Sequence, residues 1–310
     1  MKFLLRAAAV SAKMALETPI KKRSKQMHST RIRRMGKFVG ACIALAMFVA
    51  PFAGQTTYAV GLNRDDPATL GLQIAEKTKE QESGFVSSEA ELVMVLMDSA
   101  GSESVRELRQ KVLEEPDPDI GDKSLLVFDR PRDVSGTALL THANIIEPDD
   151  QWLYLPSLKR TKRIASANKS GPFVGSEFAF EDLSSQEVGK YSYLWLRDEA
   201  CPAPVQERQC FVVERTPLYE NSGYVRQIAW VDQQDFLVRQ VDYFNRRNEH
   251  SKTLMLTDYR QYKESFWRAH DLFMNNLSSG KKTKLTWSEF QFGTGLTKSD
   301  FEQSALKRVR

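Results

Sequence analysis

The chain has 310 residues, with 44 basic and 40 acidic side chains and a formal net charge of +4. Residues 1–59 hold 11 of the basic side chains and one acidic side chain, so cleavage after Ala59 would leave 33 basic and 39 acidic groups, a charge of −6. The positive charge therefore belongs to the N-terminal segment, and we expect no nucleic-acid partner. The remaining ~250 residues suffice for one large β domain or two small ones, with a core that needs no metal.

The N-terminal segment has the parts of a secretory signal peptide. A long basic region precedes an apolar run from Phe38 to Ala53, and small and polar residues follow up to Ala59. We predict that residues 1–59 are a signal peptide with an extended basic n-region, which an internal start at Met27 or Met35 would shorten. An uncleaved membrane anchor is the alternative, although the run is shorter than the about 20 apolar residues that span a bilayer.

One helix is predicted at the start of the following region. Asp66 is suited to the N-cap position and Pro67 to the first helical position. The next turns place Leu70 and Ile74, together with Leu72, on one side, so the helix is predicted to be amphipathic with roughly four turns.

After this helix the sequence predicts strands. Thr297 or Ser299 can begin a final short helix over residues 300–306. Short, turn-rich joins favour antiparallel neighbours and a meander. The apolar patterns place strands at about residues 85–98, 102–114, 123–129, 134–143, 151–155, 158–165, 187–198, 208–216, 223–232, 235–246, 251–262, 265–275 and 282–291.

Two of the three cysteines are predicted to form a disulfide, given the export that the N-terminal segment indicates. Cys42 does not fit a lipid-attachment site, because most of the apolar run follows it. Cys201 and Cys210 bracket a proline-containing loop between two predicted strands, which favours a disulfide in an exported protein. Two free thiols are the alternative. The spacing matches neither a redox CxxC motif nor a zinc site.

The sequence contains no recognisable catalytic or metal-binding motif. His142, His250 and His270 are far apart and form no HExxH pattern. No dinucleotide, nucleotide or serine-hydrolase motif occurs. The neighbouring carboxylates at 149–150 and 181–182 are interpreted as turn and cap residues. We therefore expect no catalytic residues, no metal and no cofactor.

Residues 149–182 are the most unusual part of the chain. Four cations, Lys159, Arg160, Lys162 and Arg163, lie close together, with Lys169 just beyond. They fit either a charged edge strand that blocks pairing or a docking strip for an anionic partner, such as lipid headgroups or an acidic protein surface. Phe173, Phe178 and Phe180 follow in a glycine-containing loop, either as core plugs or as a lid over an apolar cavity.

Three segments resemble the outer membrane lipoprotein-sorting protein family, which belongs to the LolA/LolB-like superfamily of periplasmic carriers. They are Phe128–Leu140 (FDRPRDVSGTALL), Asp149–Ile164 (DDQWLYLPSLKRTKRI) and Lys169–Leu183 (KSGPFVGSEFAFEDL), and the resemblance continues through Ser251–Tyr262 and the strands WRAHDLFMNN and GKKTKLTW. It implies one carrier domain over residues 60–310, in the periplasm of a Gram-negative bacterium. The implied fold is mainly β (α+β): a strongly curved antiparallel sheet of about eleven strands, an unclosed barrel with a few helices covering its concave mouth.

The resemblance also implies a function. It favours a non-catalytic carrier or chaperone that shelters the acyl chains of a lipoprotein or lipid in an apolar cavity, with an inner-membrane RND-type exporter or an outer-membrane acceptor as partner. Two alternatives stay open: an accessory or sensor subunit that binds the periplasmic domain of such an exporter, and an envelope enzyme acting on lipids or glycans. The expected cavity lining, with ordinary core packing as the alternative for each residue, is Leu92, Met94, Leu96, Phe128, Trp152, Trp230, Leu254, Leu256, Met274, Leu285 and Trp287.

Overall fold

A computed structural model describes residues 61–308. The signal-peptide prediction for residues 1–59 concerns residues outside this range. Helix α1 (Pro67–Glu82) begins as predicted, because Asp66 accepts a hydrogen bond from the Ala68 N–H and Pro67 occupies the first turn. No helix within residues 61–308 has the length and apolar content needed to span a bilayer.

The buried side of α1 differs from the prediction at one position. Leu70 and Ile74 are buried, but Leu72 is exposed. Successive helical residues are about 100° apart, so a residue two positions after Leu70 points to nearly the opposite side of the helix. The prediction for Leu72 was wrong for this reason.

Thirteen strands follow α1, and all neighbouring strands are antiparallel. The prediction of a mainly β, unclosed sheet is confirmed, with thirteen strands where the family resemblance implied about eleven. The strands are β1 (Ser87–Met97), β2 (Glu103–Leu113), β3 (Lys123–Arg130), β4 (Ala138–His142), β5 (Asp150–Leu155), β6 (Arg160–Arg163), β7 (Tyr191–Ala200), β8 (Gln209–Pro217), β9 (Tyr224–Asp232), β10 (Val238–Asn245), β11 (His250–Tyr262), β12 (Phe266–Asn276) and β13 (Lys282–Phe292).

The sheet consists of two meanders that meet where β1 pairs with β13. The strand order is β6-β5-β4-β3-β2-β1-β13-β12-β11-β10-β9-β8-β7. Strands β6 and β7 are consecutive in the chain, yet they form the two opposite edges of the sheet. The segment between them, residues 164–190, therefore has to pass from one edge to the other. We call it the cross-connection.

The two faces of the sheet bury different clusters. On the inner face, residues such as Leu92, Met94 and Phe128 pack against α1 and the cross-connection in the main cluster. On the outer face of β3 and β4, a smaller cluster packs beneath Phe301 and Leu306. Strands β3 and β4 are thus covered on both sides, which explains why the sequence there is apolar at consecutive positions.

The C-terminal segment that carries Phe301 and Leu306 is not the predicted short helix. Residues 298–301 and 305–307 form two separate 3-10 turns, and Asp300 caps the first by accepting from the Thr297 N–H at 2.8 Å. A helix of seven residues has little stability of its own. Burial of Phe301 and Leu306 against the sheet fixes the conformation instead.

The predicted disulfide is confirmed. Cys201 and Cys210 are joined, with a sulfur–sulfur distance of 2.00 Å, at the end of the β7–β8 hairpin. Both cysteines are buried.

Helix α1 lies directly on the backbone of β7, and Gly71 makes this approach possible. A Cβ atom at position 71 would lie 2.9 Å from the Leu194 nitrogen and 3.0 Å from the Trp195 nitrogen. Backbone atoms in a paired strand cannot move aside easily, so any side chain at Gly71 would push the helix away from the sheet.

We predict that Gly71→Ala destabilises the protein by about 1–3 kcal/mol, as overpacking does in well-packed cores. Alanine favours helices over glycine by about 1 kcal/mol, so helix propensity alone predicts the opposite sign. Thermal unfolding followed by circular dichroism measures the effect. Gly61→Ala is the matched control, because nothing lies within 4 Å of a Cβ at that position. A melting temperature for Gly71→Ala at or above that of the parent would contradict the packing explanation.

Candidate functional site

The concave face of the sheet holds two adjoining cavities. The first has a volume of about 300 Å³ and lies between the end of α1, strands β1–β3, β12 and β13, and the cross-connection. The second, about 170 Å³, lies between α1 and strands β8–β12. Apolar side chains form most of the walls: Leu92, Met94, Leu126, Leu285 and Trp287 in the first cavity, and Ile74, Val213, Ala229, Val241 and Leu254 in the second.

The residues predicted to line a cavity fall into three groups. Six border one or both cavities: Leu92, Met94, Leu254, Leu256, Leu285 and Trp287. Three others pack in the same inner cluster without bordering either cavity: Leu96, Phe128 and Met274.

The remaining two, Trp152 and Trp230, lie on the outer face of the sheet. Trp152 pairs with Leu140 and packs in the outer cluster, 5.0 Å from the His142 ring. The Trp230 indole N–H donates to Glu199. Successive strand residues alternate between faces, and in both strands the neighbouring positions, such as Leu153 and Ala229, face inward. The size of the two tryptophan side chains predicted that they are covered, but it did not predict which face of the sheet they occupy.

The phenylalanines of the cross-connection point into the concave face. Phe173, Phe178 and Phe180 are all buried in the inner cluster, and Phe173 and Phe178 border the first cavity. The Phe173 ring lies 5.6 Å from the Phe180 ring, edge to face, and 5.6 Å from the Phe128 ring. In this conformation the three side chains fill space between the sheet and the cross-connection.

Polar contacts hold the cross-connection to the sheet on both sides. The Gln151 amide donates to the Phe180 carbonyl at 2.9 Å. On the other side, Lys252 donates to the Glu177 carbonyl at 2.7 Å, and the Glu177 N–H donates to the Thr283 hydroxyl at 3.0 Å. These contacts satisfy backbone groups that the loop would otherwise bury unpaired.

Two carboxyl groups face the space where the cavities meet. Burial raises the pKa of Glu82, while the more distant charges of Arg268 and Lys79 act in the opposite direction. Burial also raises the pKa of Asp182, opposed first by the charge of Lys252. The Asp182 carboxylate accepts hydrogen bonds from the Ala179 N–H at 2.7 Å and the Tyr224 hydroxyl at 2.9 Å.

The sequence analysis did not identify Glu82 as a site residue and interpreted Asp182 as a cap. The Ala179 contact agrees with a capping role for Asp182. For Glu82 the sequence offered no signal, because a glutamate in the last turn of an amphipathic helix is usually exposed.

The predicted docking cations lie at one edge of the sheet. Lys159, Arg160, Lys162 and Arg163 are all exposed, and the last three belong to the edge strand β6. Pairing places Lys162 beside Leu153, on the inner side, and Arg163 beside Trp152, on the outer side, where it forms an ion pair with Asp150. The cations therefore lie on both faces of the edge strand β6 and do not form a patch on one face.

Lys169 does not extend this exposed strip. It is buried and donates to the Asp149 carbonyl, while the buried Lys190 forms an ion pair with the Asp149 carboxylate. These contacts anchor the cross-connection beside β5.

None of the three histidines within residues 61–308 borders either cavity. His142 contacts the Phe301 carbonyl at 2.7 Å, and the buried His270 contacts the Tyr262 hydroxyl at 2.7 Å. His250 lies 3.4 Å from Asp242 on the exposed surface. Within residues 61–308 there is no cluster of three or more His, Cys, Asp or Glu side chains that could hold a metal ion.

Comparisons with known proteins agree on the fold. A family model described as "-like: Uncharacterized protein" matches residues 121–308, and no curated protein sequence matches the chain. The structure of a putative outer membrane lipoprotein-sorting protein domain from Vibrio parahaemolyticus is 45% identical, covers 78% of this chain and 100% of its own, and has a TM-score of 0.74.

Two further solved structures extend the comparison. A DUF1329 family protein from Desulfovibrio piger is 28% identical over 78% of this chain and 99% of its own, with a TM-score of 0.72. A LolA superfamily protein from Nitrosomonas europaea has the same fold at 20% identity, over 76% of this chain and 99% of its own, with a TM-score of 0.60. The chain therefore belongs to the outer membrane lipoprotein-sorting protein family, and it shares its fold with a LolA superfamily protein.

Proposed function

We propose that this protein is a non-catalytic periplasmic carrier or chaperone that binds acyl chains of a lipoprotein or lipid on its concave face. The observation that carries this proposal is the pair of adjoining apolar cavities between the curved sheet, α1 and the cross-connection. Each methylene moved from water into such a space contributes about 0.8 kcal/mol. A carrier that binds and releases acyl chains in this way needs no covalent step and no nucleotide.

The family supports the same proposal. The similar structure from Vibrio parahaemolyticus is named as a putative outer membrane lipoprotein-sorting protein domain. That role requires a periplasmic location, in agreement with the signal-peptide interpretation of residues 1–59 and with a disulfide between Cys201 and Cys210.

The size of the cavities suggests how cargo would enter. The first cavity, about 300 Å³, lies at the lower end of the roughly 300–1,000 Å³ typical of ligand pockets. A cargo with several long acyl chains needs more room than this. Phe173, Phe178 and Phe180 would then act as a lid, leaving the concave face as the cargo enters and returning when it is released.

We predict that Leu256→Trp weakens acyl-chain binding at least tenfold. Leu256 borders both cavities and is only partly buried, so an indole there extends into space that a ligand would use. Met255→Trp is the matched control, because Met255 is the neighbouring residue on the opposite face of β11 and pairs with Phe273. Titration with a fluorescent fatty acid measures the affinity of each variant.

The parent protein provides the direct test. Native mass spectrometry of protein purified from the periplasm, before and after delipidation, should detect a bound lipid or lipoprotein that delipidation removes. Recovery of neither, together with no uptake of the fluorescent fatty acid, would exclude the carrier function.

A second candidate function is an accessory or sensor subunit that binds a membrane-protein partner, such as the periplasmic domain of an RND-type exporter. The burial of the three phenylalanines in the concave face favours it, since a filled face needs no cargo. The exposed cations of β6 provide a surface for an acidic partner or for anionic lipid headgroups. An envelope enzyme is less well supported, because none of the three described histidines borders the cavities.

We predict that replacing Lys159, Arg160 and Lys162 together by Glu weakens binding to anionic vesicles or to an acidic partner, but leaves fatty-acid uptake unchanged. Each cation near an anionic surface contributes about 1 kcal/mol, and salt screens the effect. Vesicle co-sedimentation at low and high salt measures it. The control reverses three exposed lysines elsewhere, Lys263, Lys281 and Lys307, with the same change in net charge. Equal loss in both triple variants would show that only net charge matters and that β6 is not a docking strip.

A further inference from the structure

The two cavities meet at a wall that contains polar groups in an otherwise apolar space. Both are bordered by Leu256 and Leu272 from the sheet, by Lys79 and Glu82 from α1, and by Asp182 and Ser184 from the cross-connection. From this junction the first cavity extends toward β1–β3, and the second extends toward β8–β10. The space therefore has two apolar arms and one polar centre.

Two of the polar groups at this centre lack partners. Among the described residues, none donates a hydrogen bond to the Glu82 carboxylate or forms an ion pair with it, and the cations nearby act on it only at longer range. The Ser184 hydroxyl is buried and also has no hydrogen-bond partner within residues 61–308. Buried polar groups are normally satisfied, so the buried Ser184 hydroxyl is available to a ligand, and the partly exposed Glu82 carboxylate beside it can accept a hydrogen bond as well.

Of the other polar groups that border both cavities, Gln186 is exposed to solvent, and Lys79 and Asp182 are already satisfied. Lys79 forms ion pairs with Glu187 at 3.2 Å and with Asp122 at 3.7 Å. The Asp182 carboxylate already accepts from Ala179 and Tyr224. The Glu82 carboxylate can accept hydrogen bonds, whereas the Ser184 hydroxyl can donate or accept one, so the complementary ligand group donates to Glu82, as a hydroxyl or an amide N–H does.

We propose that, once Phe173, Phe178 and Phe180 have left the concave face, the two cavities together bind one lipid with two acyl chains, one chain in each cavity. A hydroxyl or amide of its linkage region then donates a hydrogen bond to Glu82 and accepts one from the Ser184 hydroxyl. This inference rests on the proposed carrier function and specifies its ligand. A lipid with one chain would leave one apolar arm empty. A donor in the linkage satisfies the Glu82 carboxylate, which has no hydrogen-bond partner among residues 61–308.

The geometry provides variants that block each arm separately. Ser124 lies on the inner side of β3 and borders only the first cavity, while Ala75 of α1 borders only the second. Ser124→Phe and Ala75→Phe would each fill one arm with a ring. Glu76→Phe is the matched control, because Glu76 adjoins Ala75 and is exposed.

The first test compares the binding of lipids that have one and two acyl chains. Displacement of a fluorescent fatty acid is measured with dioleoylglycerol, which has two chains and a free hydroxyl, and with oleyl alcohol, which has one chain. We expect the parent and Glu76→Phe to bind dioleoylglycerol at least tenfold more tightly than oleyl alcohol. Each arm-blocking variant should lose this preference and still bind oleyl alcohol through its open arm. Circular dichroism and thermal unfolding identify any variant that fails to fold. If a variant does not fold, the test rests on whether the parent binds dioleoylglycerol more tightly than oleyl alcohol.

The second test addresses the donor. The 3-O-methyl ether of dioleoylglycerol has the same chains and no hydroxyl donor. A hydrogen bond to a charged group corresponds to roughly tenfold or more in affinity, so the parent should prefer dioleoylglycerol to the ether by that factor. Glu82→Leu should abolish the preference without preventing the ether from binding, and Glu82→Gln, which keeps an acceptor oxygen, should retain part of it.

The outcomes separate the two proposals. If no lipid binds to the parent, the carrier function is wrong and this inference with it. If lipids bind, but one-chain and two-chain ligands bind equally or the ether binds as well as the alcohol, the two-arm inference is overturned and the carrier function stands.

Discussion

The position of β6 and β7 at opposite edges of an open sheet is the constraint on which the rest of this structure depends. Because the two strands are consecutive in the chain, the cross-connection has to join the two edges, and it does so across the concave face. Its backbone would be buried there without partners. Short 3-10 turns, and side chains such as Gln151 and Lys252, provide hydrogen bonds for the backbone groups of the cross-connection.

The cavities follow from the same path. They are the spaces left between a loop that cannot pack as regularly as a strand and a sheet too curved to meet it everywhere. At the end of the loop that precedes β7, Lys190 forms a buried ion pair with Asp149; removing one partner of such a pair typically costs about 3–5 kcal/mol. Its middle is different: Val174 is held in the left-handed region at φ 46°, a conformation that a β-branched residue rarely adopts.

Much of the fold was predictable because strands leave local signals. Alternating apolar residues and short turns located all thirteen strands to within a few residues, and the two cysteines indicated their own pairing. Two predictions about the fold were wrong, those of the C-terminal helix and of the burial of Leu72, and both errors have local causes. The residues after Thr297 are too few to form a stable helix alone. Leu72 is apolar, as buried residues usually are, but it lies at an exposed position of α1.

The sequence by itself determined which segments are strands, that they form an antiparallel meander, and that an apolar concave face exists. Only the tertiary structure decided which face of β5 and β9 is the inner one, because Trp152 and Trp230 are large enough to cover either side. It also decided that Glu82, Ser184 and Asp182 meet between two cavities. These residues come from a helix and from a loop about a hundred positions later in the chain, and local patterns carry no information about contacts across such a separation.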